Sequence, residues 1–319
     1  MEREDKRAVR KSVGRVSRFA LFYTLLFTLA SVVVMVVVTV KQLIGDTNLS
    51  EQEIEAIAMD SMGQYSLAAL AVGILFILLM RRGKLFREDL RNPEARPMHW
   101  PIFAACVVLL FTSQTIATLC DPVIKGAAAL LGYSNYSTTD ALNDTPVTLW
   151  MILYTSFLGP IIEEVVFRGV VIKGLRPYGK VFAITTSAFL FAIFHGDLNQ
   201  GIFAFICGLV LGYLAMEYHI GWAMLLHIVN NFVIGDMLTG LTSLLPASAQ
   251  GIVGTGLIIV VGGLGGGLVL WKNRAAIRSY RQQNIAQPGT VKACWTTPSF
   301  LIFIALQLVM MTMAFEPMA

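Results

Sequence analysis

Two adjacent glutamates and an arginine, Glu163, Glu164 and Arg168, interrupt the apolar run FLGPIIEEVVFRG at residues 157–169. Further along, FAIFH places His195 four residues after Phe191, and HIVNN places His227 four residues before Asn231. Groups able to take up protons or to stabilise negative charge thus recur in three separate apolar stretches. A charge at mid-bilayer costs about 2.5–3.5 kcal/mol on insertion scales, so such residues face a partner or a water-filled cavity.

Helical spacing assigns the charges different duties, because residues four apart share a face and neighbours point about 100° apart. Glu164 and Arg168 are four apart with the acid N-terminal, the favourable order for an ion pair, which commits the arginine to Glu164. Glu163 shares its face with Gly159, Pro160 and Phe167 and must find its partner on another helix. Pro160 removes one backbone donor and bends the helix just before the acids. A carboxylate without a cation on its own helix suits a general base. The Phe191 ring is placed to pack on His195 and fix its direction. His227 and Asn231 offer an imidazole and an amide from one face, the two donors that an oxyanion in an apolar cavity needs. His99, His219, Asn230 and Asp236 are read as structural, capping or interfacial residues.

The elements that must hold these groups are membrane helices. The chain has 319 residues, 56% hydrophobic and 14% charged, and its apolar residues come in long blocks, the composition of a polytopic helical membrane protein. Nine apolar segments run roughly over 19–40, 65–80, 100–120, 147–172, 181–196, 201–217, 220–239, 251–271 and 299–315. The second, fifth and last are short for the ~20 residues that cross a bilayer core. The first exceeds the roughly 7–15 apolar residues of a cleaved signal peptide and reads as a retained span. Arg3, Lys6, Arg7, Arg10, Lys11, Arg15 and Arg18 precede it, and basic loops alternate with acidic ones thereafter, Asp46 and Asp144 falling in two of the acidic loops. Since lysine and arginine collect on cytoplasmic loops, the N-terminus is expected inside and, with nine spans, the C-terminus outside. The expectation is an all-α transmembrane bundle of eight to nine spans forming one membrane domain over 1–319. The segment PVIKGAAALLGY is left open between interfacial helix and loop. Gly208 and Gly212, and the run VVGGLGGGLVL, read as close helix packing. The net charge of +4 reports topology and does not point to nucleic acid, and the four scattered cysteines form no disulfide or zinc-ribbon pattern.

On these residues the chain resembles the CAAX-protease and bacteriocin-processing family, also called CPBP or Abi, which includes the type 2 CAAX prenyl endopeptidases. Its EExxxR motif is matched by EEVVFR (Glu163, Glu164, Arg168), its FxxxH motif by FAIFH (Phe191, His195), and its histidine-asparagine motif by HIVNN (His227, Asn231). The resemblance covers about 147–235, the catalytic core spans. It implies an intramembrane endopeptidase of about eight spans in which Glu163 and His195 activate water, His227 and Asn231 stabilise the oxyanion, and Glu164 with Arg168 holds the glutamate helix. Counting about 1.5 Å per residue from the expected span ends puts Glu163 and Asn231 near ~15 Å deep but His195 near ~22 Å, a mismatch that requires the fifth helix to tilt or begin deeper.

No metal is expected, although Glu163, His195 and His227 with a water would make a plausible zinc set. The expected partners are the bilayer and a membrane-associated or lipidated peptide, and the expected location is a bacterial plasma membrane. Two other readings remain at this point: a silent scaffold or bacteriocin-immunity protein, and a proton-coupled transporter using the Glu/His cluster as a relay, which lacks an inverted repeat.

Overall fold

The computed structural model describes residues 2–45, 50–137, 140 and 145–318; Asp46 and Asp144 of the loop-charge argument lie outside them. All nine apolar segments are helical. Seven helices are long and apolar enough to cross a membrane: α1 (Arg3–Gly45), α3 (Met62–Arg81), α4 (Trp100–Leu130), α5 (Leu149–Tyr178), α7 (Leu198–Glu217), α8 (Ile220–Thr242) and α9 (Ala247–Gln283). Two are apolar but shorter, α6 (Lys180–Phe194) and α11 (Pro298–Thr312). Among the described residues there are also the short helices α2 (Glu51–Asp60) and α10 (Thr290–Trp295) and a π-helical turn at Leu85–Asp89. Ser50 and Glu53 form a reciprocal capping box that starts α2, satisfying two otherwise orphan backbone donors. The PVIKGAAAL stretch is neither a loop nor a separate helix: α4 runs on through Pro122 to Leu130.

Contacts at the two ends show how the nine helices alternate. At one end Glu217, the last residue of α7, accepts hydrogen bonds from Lys180 at the start of α6 (2.7 Å) and from Tyr280 near the end of α9 (2.9 Å), and pairs with Arg96 ahead of α4 (3.3 Å). Arg10 of α1 donates to Thr296, just before α11, at that same end (2.9 Å). At the other end, strands β1 (Tyr133–Asn135), after α4, and β2 (Phe315–Pro317), after α11, pair antiparallel with Tyr133 opposite Pro317. Asn199 at the start of α7 donates to Asp121 there (3.1 Å). In chain order the apolar helices therefore alternate in direction, α1, α4, α6, α8 and α11 running one way and α3, α5, α7 and α9 the other.

Burial marks α5, α6 and α7 as the centre of the bundle. Every residue of α5 from Glu164 to Ile172 is buried, as expected of a helix that is apolar all round apart from one neutralised ion pair. By contrast the far half of α1 presents Leu29, Val33 and Val37 outward, each more than half exposed, the pattern of a lipid-facing surface. Small residues set the closest approaches. A Cβ on Gly208 of α7 would lie 3.1 Å from the Ala188 Cα of α6, and one on Gly212 3.0 Å from Ile184. On α9, a Cβ at Gly262 would overlap the Phe111 carbonyl and one at Gly266 the Thr112 hydroxyl of α4. Thr112 and Thr115 donate across that gap to the Gly262 and Ile258 carbonyls (2.9 and 2.8 Å), the small-residue contact and polar bridge that associate helices where lipid removes the hydrophobic drive.

The depth mismatch between Glu163 and His195 disappears because α5 runs to Tyr178 rather than 172. Glu163 lies fifteen residues before that end and His195 fifteen after Lys180, at which α6 starts. Both sit about 22 Å along their helices from the same turn.

Candidate active site

The backbone around the acids alternates between helix types. Gly159–Glu164 is an α-helical turn between π-helical stretches at Leu153–Leu158 and Val165–Val171, and α8 turns π-helical over Val229–Met237, where Asn231 lies. Widened i→i+5 turns concentrate at functional sites and leave carbonyls open to side chains. The Thr155 carbonyl accepts from Asn231 Nδ2 (2.7 Å) and the Phe167 carbonyl from Ser187 Oγ (2.8 Å). Ser156 is hydrogen-bonded to Asp236, tying the two π-helical segments together. Gly159 allows the tight approach before the acids: a Cβ there would lie 2.7 Å from the Tyr154 carbonyl oxygen.

Glu164 and Arg168 form an ion pair with no solvent exposure, Arg168 Nη1 lying 3.0 Å from Glu164 Oε1. The same carboxylate oxygen is 2.9 Å from His227 Nδ1 on α8. A carboxylate paired with arginine only accepts, so Nδ1 carries the hydrogen and Nε2 is directed elsewhere. That Nε2 lies 3.7 Å from Glu163 Oε2, whose side chain keeps 19% exposure, a gap too long for a direct hydrogen bond and of the size one water bridges. Arg168 Nε and Nη1, Glu164 Oε2 and Asn230 Oδ1 are buried without hydrogen-bond partners among the described residues, so the cluster retains unspent polar capacity.

His195 caps the end of α6, where Gly196, at φ +63°, turns the chain into α7. Its Nδ1 is 2.8 Å from the Phe191 carbonyl, an acceptor, which again leaves Nε2 as the free nitrogen. The Glu163 carboxylate interacts electrostatically with His195 and with the phenols of Tyr23 and Tyr154. Phe191 is the hub. Its ring packs edge-on to His195 (4.8 Å between centroids) and to His227 (5.8 Å), and Arg168 stacks over its face at 4.3 Å, a cation–π contact that holds the guanidinium in an apolar setting.

The structure thus gathers Glu163, Glu164, Arg168, Phe191, His195 and His227 around one place. Glu163 is neither locked to Arg168 nor turned to lipid. Asn231 lies on the π-helical stretch of α8, its Nδ2 donating to the Thr155 carbonyl and its Oδ1 accepting from Asn230 Nδ2 (2.8 Å). Asn230, read as structural, orients Asn231, and His219 caps α8, accepting from Gly221 N (3.0 Å). Tyr23 and Tyr154 were not legible as site residues, since an aromatic in an apolar span gives the same signal whether it faces lipid or a carboxylate. For zinc, no three His, Cys, Asp or Glu side chains among the described residues converge as a metal site.

Residues 145–233 match the family model described as Type II CAAX prenyl endopeptidase Rce1-like. That segment is similar to this family. It contains every residue of the three motifs, so the resemblance carried by EEVVFR, FAIFH and HIVNN is borne out. The chain is also 26% identical over 215 residues to the protein named "Putative membrane peptidase YdiL" of Bacillus subtilis strain 168, covering 65% of this chain and 82% of the relative. No solved structure matches. Both likenesses are to membrane peptidases, and the apolar helices make this an integral membrane protein.

Proposed function

We propose that the protein is an intramembrane endopeptidase that hydrolyses a peptide bond of a membrane-associated or lipidated substrate, with Glu163 and His195 activating water. The observation that carries the reading is Glu163, a partly exposed carboxylate without a direct cation, 3.7 Å from His227 Nε2 in a cluster where the Phe191 ring also packs on His195, each imidazole having its hydrogen bond at Nδ1. Glu163 takes a proton from water as the water oxygen adds to the scissile carbonyl carbon. The resulting oxyanion is met by Asn231, whose second amide hydrogen is not spent on Thr155, and by His227. With Nδ1–H committed to Glu164, His227 donates from Nε2 as the imidazolium, its charge balanced first by the Glu163 carboxylate 3.7 Å from Nε2 and then, once Glu163 holds the proton of water, by the oxyanion. Collapse breaks the C–N bond, and the proton held on Glu163 passes to the leaving amine, restoring the carboxylate.

Glu164 is on this reading a positioning residue that fixes the orientation of the His227 ring, as a buried carboxylate orients the histidine of a hydrolytic triad. The reaction is proposed to run without metal. Wild type, Glu163→Gln and His195→Ala, purified in detergent, are compared on a panel of membrane peptides with and without a chelator. Each substitution is expected to lower cleavage by roughly 10²–10⁴-fold, with wild type indifferent to the chelator. Undiminished cleavage by Glu163→Gln would falsify the assignment of the base, and chelator inhibition reversed by zinc would overturn the metal-free step.

A further inference from the structure

A cavity of about 740 Å³ lies between α1, the end of α3 and the end of α5, on the side where α1 changes from basic to apolar. Five cations line it, Arg15, Arg18, Arg81, Lys173 and Arg176, against two acids, Glu88 and Asp89. Three of the five are occupied. Arg81 forks onto Asp89 through two 2.7 Å bonds, Arg176 pairs with Glu94, and Lys173 donates to the Arg91 carbonyl (2.6 Å). Arg15 and Arg18 are exposed, with no hydrogen bond or ion pair to any described residue. They lie three apart on one helix face, where neighbouring side chains meet.

Apart from Ser12, which is hydrogen-bonded to Tyr178, the rest of the lining is apolar, with Phe19 and Phe76 in ring contact at 5.2 Å and Phe22 and Met80 at the rim. Phe22 is 51% and Met80 60% exposed, continuous with exposed Leu25, Leu29 and Leu79. A small soluble anion would use the guanidiniums and leave that apolar wall to no purpose. An amphiphile would use both, its phosphodiester on the arginine forks and its chains along Phe22 and Met80.

We propose that this cavity binds an anionic phospholipid, with the headgroup phosphate held by Arg15 and Arg18. Basic pockets between membrane helices near the interface take such headgroups. The lipid bridges α1 to the end of α5, the helix that carries Glu163, and so steadies the frame from which Tyr23 reaches the site. The proposal stands on the cavity alone and does not depend on the hydrolytic reading.

The test measures thermal unfolding of the full chain in neutral detergent with added short-chain phosphatidylglycerol, phosphatidylcholine of the same chain length, or inorganic phosphate. Phosphatidylglycerol is expected to raise Tm saturably by about 5 °C, while the other two have little effect. The shift is lost in Arg15→Gln/Arg18→Gln and kept in Arg274→Gln/Arg278→Gln, which removes two basic residues from the end of α9. If the first double variant unfolds early without lipid, Arg18→Gln alone provides the comparison. Equal shifts with phosphatidylcholine, or with phosphate alone, overturn the proposal, as does equal loss in the two double variants. A peptide with a free C-terminal carboxylate that matches the lipid's effect at the same concentration would reassign the cavity to a peptide end and overturn it too.

Discussion

Glu163 and Glu164 are neighbours in sequence with opposite situations, and a hundred-degree turn of helix makes the difference. Glu164 points inward to Arg168 and His227 and is fully buried, whereas Glu163 keeps access to the site. Removing one partner of a buried pair leaves an uncompensated charge, so Glu164→Gln is expected to cost about 3–5 kcal/mol of stability and most of the activity. Converting both partners, as in Glu164→Gln/Arg168→Met, removes the orphaned charge and should restore much of the Tm. It should not restore cleavage, since His227 still lacks its carboxylate. Denaturation and peptide cleavage measured side by side on the two variants decide this; recovery of both together would show that Glu164 serves stability only. The motif residues could be read from the sequence because ionisable groups are so costly in apolar spans that few other roles accommodate them. Tyr23 and Tyr154 could not, because aromatic side chains are at home on either face.

Among the elements, α5 and α8 acquire their geometry from π-helical turns that a count of 3.6 residues per turn does not foresee. Regular spacing brought Glu164 onto Arg168, but it did not foresee the hydrogen bond from Asn231 to the Thr155 carbonyl, which joins two widened stretches. The glycine runs were legible as packing surfaces, and their partners were not. Gly262→Ala places a methyl group onto the Phe111 carbonyl and the Thr115 hydroxyl of α4 and is expected to destabilise by about 1–3 kcal/mol, the cost of overpacking. The reference is Gly267→Ala on the same helix, where an added Cβ meets nothing within 4 Å. Detergent unfolding midpoints compare the two, and an equal response would mean that the α4–α9 contact is looser than the structure has it.

Over the whole molecule, Glu217 gathers Lys180, Tyr280 and Arg96 from three chain segments at one end of the bundle, while β1 and β2 join the other. The basic loops belong to the Glu217 end, which the distribution of lysine and arginine assigns to the cytoplasm. Single cysteines at exposed Arg87 and at exposed Ser134 in a background lacking the four native cysteines should therefore react oppositely with a membrane-impermeant thiol reagent on intact cells. Ser134→Cys is expected to label and Arg87→Cys only after permeabilisation; the reverse pattern would invert the topology.

The sequence by itself determined the class of molecule, its nine apolar helices and the set of groups that can do chemistry, because hydropathy and the price of an intramembrane charge are local properties of the chain. It also bounded the family through three spaced motifs. Only tertiary structure decided that α5 extends far enough to bring Glu163 level with His195, that Glu164 is hydrogen-bonded to His227, and that two unpaired arginines face an apolar-walled cavity. These are facts about where separate helices end and which faces meet, and they depend on packing between residues tens to hundreds of positions apart, which no local spacing encodes.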